Sequence, residues 1–321
     1  MSMKVFISGN IAPIALQQLE DHHIQITQWK ETRQITPEEL IEACKDQDGF
    51  ISVGPNKINA DFLNASKHLK VIALHSVGFD QVDVETAKKL NIPVGNTPGV
   101  LSAATAETAF LLMIAVSRKA FFSYRKIIDG KWEKYEPATE LGIEINGKTL
   151  GVFGLGKIGL EMAKKCKAAY GMEVIYHNRS RNEAAEKELD AKYVSFDELL
   201  EQSDVLTVHT ALTDETKGKF SIDVFKKMKP NAIFINTARG GIHNEKDLIQ
   251  ALEEKIIWGA GLDVTNPEPM DKNNPLLFME SVAVLPHIGS ATEETRTAMA
   301  ELIVENILAG LKGEQIPYPI Y

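Results

Sequence analysis

A chain of 321 residues is long for one core and comfortable for two domains, and its 44% hydrophobic and 25% charged residues are ordinary for a globular protein in water. A formal net charge of -9 argues against a nucleic-acid backbone or an anionic membrane as partner. With two cysteines (Cys44, Cys166), no signal-peptide pattern and no apolar run longer than Ala109–Val116, the expectation is a cytoplasmic protein without a disulfide framework or metal cluster.

The first third alternates short apolar runs with helical patterns. Val5–Ser8, Gly49–Val53 and Val71–Leu74 read as buried strands, with helices at Ile14–Asp21, Pro37–Cys44 and Ala60–Ser66. Thr36 and Glu39 form a capping box ahead of the second helix. Such alternation predicts a parallel sheet covered by helices on both faces. This segment has no Gly-x-Gly-x-x-Gly and is not expected to hold a dinucleotide. Thr97-Pro98-Gly99 then precedes a long helix, roughly Ser102 to Lys119, read as the crossing into a second domain. Residues 120–146 gather Phe121, Phe122, Tyr124, Trp132 and Tyr135 among charges with few strand signals, and read as an irregular arm making a homodimer contact.

From Lys148 the alternation resumes. Strands are expected at Thr149–Phe153, Glu173–His177, Val205–Val208, Ala232–Asn236, Ile257–Val264 and Val282–Leu285, and Ser195 with Glu198 caps a short helix. Thr292–Leu311 carries Met299, Leu302, Ile303 and Ile307 at helical spacing and is expected to pack back on the first domain. The predicted fold class is α/β with two doubly wound parallel-sheet domains. Residues 1–100 with 290–321 form a discontinuous, flavodoxin-like, substrate-binding domain; residues 101–289 form a Rossmann NAD(P)-binding domain.

Leu150–Phe153 followed by Gly154-Leu155-Gly156-Lys157-Ile158-Gly159 and a helical run is strand, glycine turn and helix in the order a dinucleotide site requires. Gly154 permits the tight turn, Gly156 lets the backbone approach a pyrophosphate, and Gly159 lets helix and strand pack closely. The free N–H groups and positive dipole end of the helix would face the phosphates. The next strand ends at Asn178-Arg179-Ser180-Arg181, where an NAD(H) binder usually carries Asp or Glu for the ribose hydroxyls. Arginine there can hold a 2′-phosphate that a carboxylate would repel, so NADP(H) is expected ahead of NAD(H).

Three later strands end in chemistry-bearing residues: Arg239 in Thr237-Ala238-Arg239-Gly240-Gly241, Glu268 in Asp263-Val264-Thr265-Asn266-Pro267-Glu268-Pro269, and His287 in Pro286-His287-Ile288-Gly289-Ser290. Ligands of open α/β sheets bind at the carboxyl ends of strands, and a cation, a carboxylate and an imidazole at three such ends read as one site.

These motifs, in this order and over nearly the whole chain, resemble the D-isomer-specific 2-hydroxyacid dehydrogenases, and among them the glyoxylate/hydroxypyruvate reductases. His75-Ser76-Val77-Gly78-Phe79-Asp80 and Pro286–Thr292 belong to the same resemblance. It implies that Arg239, Glu268 and His287 are catalytic, that the backbone of Val77 and Gly78 receives the substrate carboxylate, and that Ser290 lies near the substrate. It also implies that Gly156, Lys157, Ile158, Arg179, Ala211, Thr237, Asp263 and Gly289 contact the cofactor, and that Trp132 or Tyr135 reaches a partner subunit's active site. Ala211 stands where many relatives have proline. The resemblance leaves other family members open, such as 2-ketogluconate, 3-phosphoglycerate or formate dehydrogenases, and also a dinucleotide-sensing co-regulator.

The expected chemistry follows from charge development. Hydride delivered to the carbonyl carbon of a small 2-oxo acid leaves negative charge on oxygen, which an imidazolium at His287 can protonate. Glu268 would orient that ring, and Arg239 would bind and polarise the substrate.

Overall fold

The computed structural model describes residues 2–321. The chain divides into two compact units, one running to Leu101 and resumed over Ser290–Tyr321, the other spanning Ser102–Gly289.

In the first unit β1 (Lys4–Ile7), β2 (Gln25–Gln28), β3 (Gly49–Ser52), β4 (Val71–Leu74) and β5 (Val94–Gly95) pair in the order β2-β1-β3-β4-β5, all parallel. That is the flavodoxin-type order, whose reversal point lies between β1 and β3. Helices α1 (Pro13–Asp21), α2 (Pro37–Cys44), α3 (Ala60–Ala65) and α4 (Val84–Lys89) connect the strands. The capping box is present, Thr36 Oγ1 accepting from the Glu39 amide and Glu39 Oε2 from the Thr36 amide. Every residue of β3 and β4 is buried, as a sheet covered on both faces requires. The terminal helix Glu293–Leu311 packs on α1, β3 and β4, burying Met299, Ile303 and Ile307. Leu302, expected beside them, is only half buried. Sequence reading passes over the edge strands β2 and β5, since Gln-Ile-Thr-Gln has one strongly apolar residue and Val-Gly is too short to show a period.

The second unit opens with α5 (Ser102–Ser117) and α6 (Ala120–Ile128). Seven parallel strands follow: β6 (Thr149–Phe153), β7 (Glu173–His177), β8 (Lys192–Tyr193), β9 (Val205–Val208), β10 (Ile233–Asn236), β11 (Gly259–Leu262) and β12 (Val282–Val284). Their order, β12-β11-β10-β9-β6-β7-β8, is the Rossmann pattern extended by one strand, with its reversal between β6 and β9. Helices α7 (Lys157–Tyr170), α8 (Glu183–Leu189), α9 (Phe196–Gln202), α10 (Ile222–Phe225) and α11 (Glu245–Glu253) complete it. Apolar on all sides, α5 lies against β10, β11, β12 and α7 with ten residues buried.

The arm at 120–146 is not irregular throughout, because its first part is α6. Phe121 and Phe122 obscured the helix by their weak intrinsic preference for it, and what fixes them is tertiary contact. They line a groove with Arg125, Leu276–Met279, Val282 and Val284, and the Arg125 guanidinium lies 5.3 Å from the Phe278 ring centre and donates to the Leu277 carbonyl.

Candidate active site

The glycine turn sits at the β6–β9 reversal. Gly154 adopts φ +103°, and a Cβ there would lie 2.8 Å from the His209 backbone. At Gly159 a Cβ would come within 2.5 Å of the Gly154 carbonyl oxygen, so helix and turn touch as the motif requires. Gly156 differs. A Cβ there would meet no protein atom within 4 Å, and α7 begins at Lys157 with no side-chain cap over its amides. Space left open beside uncapped helix N–H groups suits a pyrophosphate. Lys157 is exposed and Ile158 half buried at the same edge.

Asn178, one of the expected cofactor contacts, faces the glycine turn. Its Oδ1 accepts from the Leu155 amide at 2.7 Å, and Asn182 Nδ2 donates to the Leu155 carbonyl at 2.9 Å. Arg181 is likewise engaged, its guanidinium donating to both oxygens of Glu186 at 3.0 and 2.6 Å. Glu186 also accepts from Tyr176 Oη at 2.6 Å, which fixes the carboxylate. Arg179 and Ser180 are exposed. Arg179 makes no hydrogen bond or ion pair among the described residues, so of the two arginines it alone offers an unoccupied fork. Ala211 lies on a loop held by Thr216, whose hydroxyl donates to the Ala211 carbonyl at 2.7 Å and accepts from the Thr213 amide at 2.8 Å. The hydroxyls of Thr210 and Thr237 are buried without a hydrogen-bond partner, two orphaned groups at the carboxyl ends of β9 and β10.

The ends of β10, β11 and β12 bring the catalytic candidates together. His287 Nδ1 lies 3.1 Å from Glu268 Oε2, while Glu268 Oε1 accepts from the Thr265 amide at 3.0 Å. Burial alone would raise the Glu268 carboxyl. The hydrogen bond and charge of His287, the Thr265 amide and the charge of Arg239 outweigh it and hold Glu268 below the ordinary range. Arg239 is therefore close enough to act on Glu268. Its loop is fixed by the fully buried Asn236, whose Nδ2 donates to the Arg239 carbonyl at 2.9 Å and to His243 Nδ1 at 3.1 Å. His287 has φ 55°, a conformation that costs a non-glycine residue energy and recurs at working sites. Asp263 holds that turn, its two oxygens accepting from the Ile288 and Gly289 amides at 2.8 Å each. Burial raises the Asp263 carboxyl, against the pull of those amides and of His287. A Cβ at Gly289 would lie 2.9 Å from Asp263 Oδ2, so the turn has no room for a larger residue.

In the first unit, Val77 and Gly78 lie on the loop after β4. Asn96 Nδ2 donates to the Val77 carbonyl at 2.7 Å and Ser76 Oγ to the Gly78 carbonyl at 2.7 Å. Ser290, half buried, opens the segment leading to the terminal helix.

Residues 110–289 match the D-isomer-specific 2-hydroxyacid dehydrogenase NAD-binding domain, more than half of the chain. Similarity extends beyond that domain, to a glyoxylate reductase of Thermococcus litoralis, 41% identical over 99% of this chain and 96% of that protein. The chain belongs to the D-isomer-specific 2-hydroxyacid dehydrogenases. It is an NAD(P)-dependent dehydrogenase of the glyoxylate reductase type. Among solved structures, a glyoxylate reductase from Paecilomyes thermophila is 33% identical with a TM-score of 0.87, covering 99% of this chain and 98% of that one. An NADPH-dependent glyoxylate/hydroxypyruvate reductase from Sinorhizobium meliloti, solved with NADP and malonate, is 30% identical with a TM-score of 0.85, covering 100% and 97%. The open space at Gly156 and the orphaned threonine hydroxyls fit the dinucleotide such a dehydrogenase uses.

Several residues that shape this dehydrogenase's site escaped sequence reading. Asn182 is legible afterwards as the N-cap of α8, but its second bond to Leu155 carries no sequence signal. Asn236 acts through the Arg239 carbonyl, His243 through the Asn236 side chain and Thr265 through its own amide on Glu268, and only coordinates show that.

Proposed function

We propose that this dehydrogenase reduces glyoxylate and hydroxypyruvate to the D-2-hydroxy acids with NADPH. The observation that carries the reading is the 3.1 Å contact of His287 with a Glu268 carboxylate held ionised beside Arg239. Bound nicotinamide supplies the hydride. His287 gives the proton to the developing alkoxide, Glu268 orients the ring and stabilises its cation, and Arg239 binds the substrate carboxylate and polarises the carbonyl. The amides of Val77 and Gly78 would receive carboxylate oxygens, with Ser290 nearby. Gly154, Gly156, Lys157, Ile158 and Gly159 would hold the pyrophosphate, and Thr237, Asp263 and Gly289 the nicotinamide side. Ala211 would line the same groove. Preference for NADPH is supported by the lack of a carboxylate at the end of β7 and by the open fork of Arg179. The exposed Tyr124, Ile127, Ile128, Trp132, Tyr135 and Phe278 support a homodimer through α6 and the following arm.

A panel of glyoxylate, hydroxypyruvate, 2-ketogluconate and 3-phosphohydroxypyruvate with each cofactor tests this, followed by loss of NADPH absorbance. The highest kcat/KM is expected for glyoxylate or hydroxypyruvate with NADPH. A clear optimum on either longer substrate, or with NADH, overturns that part. Arg179→Ala should raise the KM for NADPH by about tenfold and leave that for NADH alone, while Arg181→Ala should do less.

A further inference from the structure

We infer that Glu245, outside the catalytic set, is a positioning residue: its carboxylate ties down both ends of the loop that carries Glu268 and so holds Glu268 against His287. That Glu268 and His287 do the acid–base work rests on the function proposed above; the tie itself rests on the geometry of the second unit.

The loop after β11 leaves the sheet at Asp263 and reaches Glu268 through Thr265, Asn266 and Pro267. It is stiffened from within, Thr265 Oγ1 donating to the Pro267 carbonyl at 2.8 Å and the Thr265 amide to Glu268 Oε1 at 3.0 Å. Beyond the contact with His287, the hydrogen bonds that join residues 266–274 to another element, among the described residues, are both made by Glu245. Its Oε2 accepts from the Asn266 amide at 3.3 Å and its Oε1 from Asn274 Nδ2 at 2.7 Å, so one carboxylate spans the whole excursion. Asn274 is fixed in turn, its amide donating to the Asp271 carbonyl and its Oδ1 accepting from the Leu276 amide, each at 3.0 Å.

Glu245 is the first residue of α11, and the segment leading into that helix is the one that carries Arg239. Asn244 caps the helix, its Oδ1 accepting from the Lys246 amide at 3.1 Å. A Cβ at Gly240 would lie 1.9 Å from the Thr265 carbonyl oxygen, so the Arg239 and Glu268 loops touch through bare backbone. Glu245 adds a second join a few residues on. It is half buried, and neither oxygen pairs with a lysine or arginine among the described residues. Its charge is met by N–H donors alone, and such charge-assisted bonds are about twice as strong as neutral ones. Two donors from the two ends of one loop therefore meet a single anion, which fixes where Glu268 can stand.

Glu245→Ala, Glu245→Gln and Asn274→Ser in the full chain test the tie. Serine keeps an oxygen that can cap the Leu276 amide but is too short to reach Glu245. Readouts are glyoxylate kcat, the pH profile of kcat/KM, NADPH KM, the thermal midpoint, and hydrogen exchange of the Thr265 amide, which reports on its bond to Glu268 without substrate. Glu245→Ala should lower kcat about 10- to 100-fold and speed Thr265 exchange about tenfold or more, with NADPH KM within about threefold. Reduction should also fade at lower pH, since an imidazolium less closely paired with its carboxylate is less favoured. The other charges acting on the pair, Arg239 and Asp263, are left in place. Glutamine should keep part of kcat through its one oxygen. Asn274→Ser should act in the same direction, and the double variant should fall short of the sum because both changes cut one bond. A glutamate with a purely structural role would instead lower the thermal midpoint and leave the pH profile and Thr265 exchange unmoved. Either kcat or Thr265 exchange within about twofold of wild type in folded Glu245→Ala overturns the inference. Failure of the wild type to reduce glyoxylate would overturn the proposed function, while Thr265 exchange would still decide the tie.

Discussion

After β6 the chain turns through Gly154, Gly156 and Gly159 and leaves open space at the reversal point of its sheet; after β1, at the corresponding point of the other sheet, side chains fill it. There Ser8 Oγ accepts from the Val53 amide and from Asn56 Nδ2, both at 2.8 Å. Asn56 Nδ2 also lies 2.9 Å from the Val53 carbonyl and 3.1 Å from Ser52 Oγ, with the residue 3% exposed. Two sheets of the same doubly wound type therefore differ in the residues set at one turn. Small residues make a cradle for a cofactor, and an asparagine makes a plug. Function belongs to the turn, and the sheet only positions it.

The sharpest way to test this division is at the chemistry itself. His287→Ala should lower kcat by about 10²- to 10⁴-fold, the span attributed to a positioned acid–base, with dinucleotide affinity nearly unchanged. Single-turnover kinetics beside a fluorescence titration of NADPH would show it. Loss of cofactor binding with chemistry intact would remove His287 from its role.

Next comes the cradle. Gly156→Ala adds a methyl that touches no protein atom, so the thermal midpoint should hold while the NADPH KM rises about tenfold or more. Gly159→Ala should do the reverse first, since its Cβ would press on the Gly154 carbonyl; a destabilisation of about 1–3 kcal/mol is expected from denaturant titration. Equal behaviour of the two variants would mean that Gly156 is not a cofactor contact.

At the plug, Asn56→Ala should cost about 1–3 kcal/mol through the partners it leaves unsatisfied, with the NADPH KM unchanged. A change in cofactor affinity there would erase the distinction between the two crevices.

The contrast also explains what the sequence could convey. Strand cores such as Val71–Leu74 and Glu173–His177 were legible to the residue, because continuous apolar runs between turn signals admit few alternatives. Both capping boxes were legible for a similar reason, since their chemistry is local. The convergence of Glu268 and His287 was legible only through strand ends, because 19 residues separate them along the chain. What could not be read is how neighbours redirect a side chain. Arg181 looks like a phosphate ligand, yet its guanidinium is also engaged by Glu186, and Asn178 looks like a cofactor contact, yet its Oδ1 also accepts from the Leu155 amide.

The smallest effect expected is a pH dependence to which His75 contributes from the first unit and His209 and His243 from the second, His209 being pushed by burial down to about 3. Burial pushes both His75 and His243 down to about 4, with Arg296 adding to the effect at His75. In the unfolded chain a histidine takes up its proton near the ordinary value of 6.5, whereas the folded state refuses it until pH approaches 4. The stability they contribute is therefore full above about pH 6.5 and is lost as pH falls toward 4, by on the order of 1–2 kcal/mol per imidazole between pH 7 and pH 5. Thermal midpoints across that span should fall for the wild type and fall less for His243→Asn, which removes one of the two buried imidazoles of the second unit while keeping a polar side chain beside Asn236. His75→Asn should flatten the profile by its own share, since the two imidazoles share no partner and their effects should add. Profiles of both variants parallel to the wild type would show that neither ring is held neutral by the fold. Flattening in His243→Asn alone would mean that His75 is protonated in the folded state beside Arg296.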